Sequence, residues 1–76
     1  MTLIEMVKKF DSVPVRFTFP DGSVFELFVR RKTNNKGYLA TIWLMKDNVA
    51  ERMVYSADGQ TAELAKENLK NYILES

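Results

Sequence analysis

The segment that most constrains the fold of this 76-residue chain is a turn between two stretches of alternating hydrophobicity. Apolar and polar residues alternate over 15–19, and Phe25, Leu27 and Val29 share one face of 24–31. This period of two residues is typical of strands that bury one face. The turn over 20–23 combines a proline, which presets φ, with an Asp-Gly pair, which supplies a positive φ. The sequence therefore predicts an antiparallel hairpin.

A third strand is predicted over 38–46, where both faces are apolar. One face carries Ala40, Ile42 and Leu44, and the other carries Leu39, Trp43 and Met45. Such a pattern is typical of a central strand or of a face that a partner covers. Asp47 and Asn48 then turn the chain into a weaker fourth strand, predicted over about 50–55.

Helices are predicted at both ends of the chain. Thr2 and Glu5 form a capping-box pattern that begins a short amphipathic helix over about 3–10, and Pro14 ends it. A second helix is predicted over about 61–74, with Asp58 or Thr61 as its N-cap. The order α-β-β-β-β-α predicts one α+β domain over 1–76, a two-layer sandwich. Both helices then cover one face of a four-stranded antiparallel sheet.

The composition favours a binding protein over an enzyme. The chain has neither cysteine nor histidine. Cysteine is a common nucleophile, histidine is the usual proton-transfer group, and both are the usual zinc ligands. Its three glycines fall in separate turns, so no phosphate-binding loop is indicated. We therefore expect no catalytic residue, no metal, no cofactor and no small-molecule substrate.

The same composition predicts a cytoplasmic protein. A chain without cysteine suits a reducing compartment. The first residues lack the basic region of a signal peptide, and no apolar run approaches the roughly 20 residues that cross a bilayer. We expect no contact with a membrane.

One candidate site is a basic cluster around the end of the second predicted strand. It comprises Arg30, Arg31, Lys32 and Lys36, to which Lys8, Lys9 and Arg16 could add. One interpretation is that these cations protect a sheet edge from pairing and keep the chain soluble. The other is that they contact phosphate groups of a nucleic acid, with Asn34 and Asn35 adding hydrogen bonds.

The other candidate site is the sheet face opposite the helices. If Phe17, Phe25 and Ile42 pack under the helices, then Phe28, Trp43, Met45 and either Met53 or Tyr55 point away from them. Aromatic and methionine side chains in such a position are typical of interface cores. The alternative is a register shifted by one residue, which would send the same side chains into the core.

The C-terminal half carries a pattern of small and polar residues around its last strands and helix. Its members are Gly37-Tyr38, Gly59-Gln60-Thr61, Ala65, Asn68, Tyr72, Leu74 and Glu75. In these residues about half of the chain resembles the HicB-like antitoxins, which have a partial ribonuclease-H-like fold. The resemblance implies an oligomer that binds a toxin, and it carries over no catalytic residue.

The same half is similar to the arm-type DNA-binding domains of integrases, where a helix backs a three-stranded sheet. That resemblance implies strand residues facing DNA, here Thr41, Trp43 and Arg52 together with Arg30. An apolar surround at Trp43 argues against insertion into a groove.

The function expected from these observations is non-enzymatic binding of a protein partner, with formation of a homodimer. Steric blocking in the manner of an antitoxin, or of an inhibitor from a phage or mobile element, is its most concrete form. The expected contact residues are Phe28, Trp43, Met45 and Tyr55, with Arg30, Arg31 and Lys36 orienting the partner. The alternative is nucleic-acid binding through the basic loop and the sheet face.

Overall fold

The computed structural model describes residues 3–10 and 16–75. Its elements are α1 (Leu3–Lys8), β1 (Arg16–Thr18), β2 (Val24–Arg31), β3 (Tyr38–Lys46), β4 (Val49–Gly59) and α2 (Ala62–Glu75). The strands form one antiparallel sheet in the order β1-β2-β3-β4, so that each strand pairs with the next along the chain. The predicted α+β class, element order and sheet are confirmed. The predicted cap at Thr2 and the predicted helix stop at Pro14 lie outside the described residues, and α1 itself ends at Lys8, before the predicted end at about residue 10.

The β1–β2 turn has the conformation that its residues favour. The Gly22 N–H donates to the Phe19 carbonyl at 2.9 Å, and Gly22 adopts a φ of 91°. The Ser23 N–H donates to the Asp21 carboxylate at 2.8 Å, which closes an Asx-type turn. That hydrogen bond lowers the pKa of the Asp21 carboxyl. The hairpin prediction is confirmed in detail.

The β3–β4 connection is a two-residue turn, in which Asp47 and Asn48 have φ values of 53° and 64°. Two successive positive φ values are the signature of a type I′ turn, whose twist matches that of the flanking strands. The fourth strand therefore begins at once at Val49 and continues to Gly59, beyond the predicted range of 50–55. Pairing with the apolar β3 outweighs the turn chemistry of the residues at 56–58.

The last helix begins after Thr61, whose hydroxyl accepts the Leu64 N–H at 3.1 Å. Of the two predicted caps Thr61 is therefore correct, while Asp58 belongs to β4. The approach of α2 to the strand end is close: a Cβ on Gly59 would lie 2.5 Å from the Ala65 nitrogen. Such a separation is shorter than real Cβ atoms show, so only glycine fits between β4 and α2.

A single core lies between the two helices and the sheet. Its largest members without exposed surface are Met6, Phe10, Phe17, Ile42, Leu69 and Ile73. Phe10 and Phe17 contact each other with ring centroids 5.9 Å apart, which joins the segment after α1 to the edge strand β1. Both helices therefore cover the same face of the sheet, as predicted. No helix of the described residues is long and apolar enough to span a membrane.

Candidate interaction face of the sheet

Among residues 3–10 and 16–75, no helix covers the second face of the sheet. Ala40 and Ile42 of β3 are buried in the core, so the alternating side chains of the same strand point the opposite way. Directly paired residues on neighbouring strands share a face. From this register the open face consists of Thr18, Arg16, Val24, Glu26, Phe28, Arg30, Leu39, Thr41, Trp43, Met45, Ala50, Met53, Ser56 and Asp58.

A hydrogen-bonded pair occupies the centre of the open face. The Trp43 indole N–H donates to the Thr41 hydroxyl oxygen at 3.0 Å, and that hydroxyl lies 3.5 Å from the Phe28 carbonyl oxygen. Only 7% of Thr41 is exposed, although no helix lies over it. The indole is thus held along the sheet, with its polar atom already satisfied. A partner that contacts Trp43 need not supply a hydrogen bond to it.

Exposed apolar side chains flank this pair. Phe28 is 43% exposed and Met53 is 46% exposed, and the described residues place nothing over either side chain. Met53 is the direct cross-strand partner of Trp43, and Phe28 is that of Thr41. Met45 and Leu39 extend the apolar surface along β3 and are half-buried. An aromatic and thioether cluster of this kind has the composition of an interface core.

Ion pairs lie at two edges of the cluster. Arg16 of β1 holds Glu26 of β2, with Nε and one terminal nitrogen 2.8 and 2.7 Å from the same carboxylate oxygen. Beyond the end of β2, Lys32 pairs with Asp58 of β4, and this contact lowers the pKa of the Asp58 carboxyl. Arg30 has no ion-pair partner among residues 3–10 and 16–75. The open face therefore has an apolar centre and a rim that is mostly neutralised.

The basic cluster of the sequence is divided by the fold. Arg30 lies on the open face, whereas Arg31 points to the other side, where its guanidinium lies 5.6 Å from the Tyr38 ring centroid. An Arg31 nitrogen also donates to the Tyr38 hydroxyl at 3.3 Å. Lys36 is exposed in the loop after β2, and its backbone N–H donates to the Asn34 side chain at 2.9 Å. These cations do not form one continuous surface.

The orientation predicted for Tyr55 is wrong. Its ring contacts that of Tyr72 on α2 at 6.0 Å between centroids, so Tyr55 lies on the helix-covered side. The reason is an irregularity between the pairs at Ile42 and Trp43, where Val54 is an extra residue in β4. An unbroken strand would place Met53 and Tyr55 on one face, but the bulge reverses the alternation between them. Met53 therefore joins the open face in place of Tyr55.

The same bulge decides the direction of Arg52, because Arg52 alternates with Met53 and so lies on the helix-covered side; Glu51 is the extra residue at a second irregularity, between the pairs at Leu44 and Met45. Arg52 pairs with Leu44, whose side chain faces the helix layer. The set suggested by the integrase resemblance is thus divided, because Thr41 and Trp43 lie on the open face and Arg52 does not. Of the predicted contact residues, Phe28, Trp43 and Met45 share the open face with Arg30.

Sequence reasoning did not identify Thr41 as the anchor of the open face. The available signal was the one threonine in the apolar interior of β3, because a buried hydroxyl needs a nearby hydrogen-bond partner. Within the described residues there is no group of three or more acidic side chains that could hold a metal ion. Comparisons of the chain with protein-family models, with curated proteins and with solved structures found no match.

Proposed function

We propose that this protein binds a protein partner through the open face and acts by occupying that partner's surface. The observation that carries the proposal is the uncovered cluster of Phe28, Met53 and Trp43 at the centre of a helix-free sheet face. Large apolar groups left in water at the centre of a polar rim are typical of protein–protein contact sites.

The free energy available from covering these exposed side chains supports a binding role for them. A fully buried phenylalanine removes roughly 150–250 Å² from water, so covering the exposed part of Phe28 would contribute about 2 kcal/mol. Met53, which is exposed to a similar degree, would contribute a similar amount. Trp43 is half-buried already and is oriented by Thr41, so its side chain would lose little conformational entropy when a partner binds. These residues are the expected centre of the interface.

A second copy of the chain is the simplest partner, because sheets pack face to face through such surfaces. The resemblance to HicB-like antitoxins supports an oligomer that also blocks a target. In this chain the glycine and threonine of that pattern, Gly59 and Thr61, have local roles in packing and capping α2. The residues that carry the resemblance are therefore different from those that form the open face.

Nucleic-acid binding is the alternative, and Arg30 is the observation that favours it. Single-strand binding surfaces combine stacking side chains with a continuous cationic groove. Here Arg16 and Lys32 have acidic partners, and Arg31 lies on the opposite side of the sheet. Within the described part of the chain, Arg30 on the open face and the exposed Lys36 in the loop after β2 leave only a small charge contribution.

The test is molar mass by light scattering for the wild type and two matched variants. Phe28→Ala removes an exposed apolar group from the open face, and Leu64→Ala removes one of similar exposure from α2. We expect a dimer of the 8.8 kDa chain that Phe28→Ala converts to monomer and that Leu64→Ala leaves intact. Circular dichroism confirms that both variants fold.

Nucleic acid is then added to the same samples at low and high salt. Three results together would contradict the proposal: the wild type is a monomer, it binds a mixed duplex at low salt and releases it at high salt, and the Arg30→Glu variant does not bind the duplex. Affinity capture of a protein by the wild type and by Leu64→Ala, but not by Phe28→Ala, would extend the proposal from a second copy to a separate target.

A further inference from the structure

A second concave surface lies on the helix-covered side of the sheet, near the β1–β2 turn. It is a cleft of about 450 Å³, which is within the usual range for small-molecule sites. Most of its lining is apolar and comes from Phe19, Phe25, Leu44 and Val54, with Met6 of α1 at one side. The rings of Phe19 and Phe25 meet edge to face, with centroids 5.2 Å apart.

The cleft lies beside α1, the shorter of the two helices that cover the sheet. Helix α1 has six residues, which corresponds to roughly 9 Å, whereas β3 has nine residues and extends roughly 30 Å. Leu44, near the β3–β4 turn, lies beyond the core cluster, and Val54 packs against the edge of that cluster. Their apolar side chains line the cleft.

Two charged groups face this cleft, and they differ in their partners. The Asp21 carboxylate already accepts the Ser23 N–H at 2.8 Å. The Arg52 guanidinium has neither an ion pair nor a hydrogen bond within residues 3–10 and 16–75. Glu51 borders the same region as Arg52 but forms no ion pair with it. The charged group available to a ligand is thus an exposed cation at the mouth of the cleft.

We propose that this cleft binds an apolar monocarboxylate, with the hydrocarbon between Phe19, Phe25 and Val54 and the carboxylate on Arg52. The planar guanidinium offers parallel N–H donors that match the two oxygens of a carboxylate. Asp21 at the same cleft disfavours ligands with several negative charges. The site lies on the opposite side of the sheet from the open face, so this inference does not depend on the proposed function.

The experiment is a titration of the whole chain with decanoate below its micelle concentration, followed by ¹H–¹⁵N spectra and calorimetry. We expect saturable binding, with amide shifts at Phe19, Phe25 and Val54 and no shift of the side-chain indole N–H signal of Trp43, which lies on the open face. Arg52→Gln should weaken binding about tenfold or more, since it removes a charge-assisted pair. Arg30→Gln, on the other face, should bind as the wild type does.

Decanamide tests the proposed contact between Arg52 and the carboxylate by changing the ligand and leaving the protein unchanged. It keeps the hydrocarbon and lacks the charge, so it should bind at least about tenfold more weakly than decanoate. The proposal is overturned if decanoate shows no saturable binding, if Arg52→Gln and decanamide retain full affinity, or if the shifts fall on the open face.

Discussion

Lys32 and Asp58 form an ion pair that links the end of β2 to β4, although these strands are not neighbours in the sheet. The hydrogen bond from Lys32 lowers the pKa of Asp58, which means that the ionised carboxylate is favoured in the folded state. Asp58 also offers its backbone carbonyl to the Asn68 amide at 2.7 Å. This residue therefore connects the loop after β2, the edge strand and α2.

The sign of the pKa shift gives a pH prediction for Asp58→Asn. A carboxylate with a lowered folded pKa stabilises the fold above its unfolded pKa of about 3.9, and this contribution is lost as the pH falls through the folded pKa. We expect the wild type to have a slightly higher Tm than Asp58→Asn near neutral pH. The difference should shrink towards zero in acid, and it stays small because solvent screens the exposed pair.

Thermal melts between pH 2 and 7 in low salt check this expectation. Asp47→Asn is the matched control, since it removes an aspartate from a turn whose positive φ asparagine also tolerates. A Tm difference for Asp58→Asn that grows as the pH falls would contradict the assignment.

At the level of single residues, the sequence predicted the direction of some side chains and not of others. Phe28, Trp43 and Met45 lie in strands that pair with each other in an uninterrupted register, so simple alternation gave their direction. Tyr55 lies beyond a bulge, and nothing in the local sequence marks the position at which a strand gains an extra residue. The direction of Arg52 could not be predicted for the same reason.

Among the elements, α2 depends on its first turn. The Thr61 hydroxyl accepts the Leu64 N–H, which otherwise would have no partner within the helix. We expect Thr61→Ala to lower the free energy of unfolding by about 1 kcal/mol, as measured by urea denaturation. Thr61→Ser keeps the hydroxyl and should lose only a small part of that. Equal losses in the two variants would show that the methyl group, and not the cap, is responsible.

The elements themselves were predicted where local chemistry and long-range pairing agree. The β1–β2 turn forms as its Pro-Asp-Gly residues dictate, and α2 begins at a residue suited to capping. The fourth strand was predicted too short because 56–58 carries residues typical of turns. In the structure these residues pair with 39–41 of β3, and that pairing depends on contacts that local propensity does not contain.

For the molecule as a whole, one core cluster joins α1, the edge strand β1, β3 and α2. Phe10 follows α1 and is 1% exposed, and it packs on Phe17 beside the core residues of α2. A domain of this length has a total stability of roughly 4–11 kcal/mol. Loss of one large core side chain therefore removes a substantial fraction of it.

We expect Phe10→Ala to lower the free energy of unfolding by about 3–5 kcal/mol. Leu74→Ala, which truncates an exposed side chain of α2, should change it by less than about 1 kcal/mol. Urea denaturation followed by circular dichroism measures both variants. A small loss for Phe10→Ala would mean that the segment after α1 does not belong to the cooperative core.

Trp43, which the hydrogen bond to Thr41 fixes on the open face, is the chain's single tryptophan, and this has a consequence for its fluorescence. All indole emission thus comes from the centre of the open face, where the ring is partly exposed to water. A partner that covers this face would move the chromophore into a drier environment and shift its emission to the blue. A ligand in the cleft lies across the sheet and would leave the spectrum unchanged. The protein therefore carries its own label for distinguishing its two candidate surfaces.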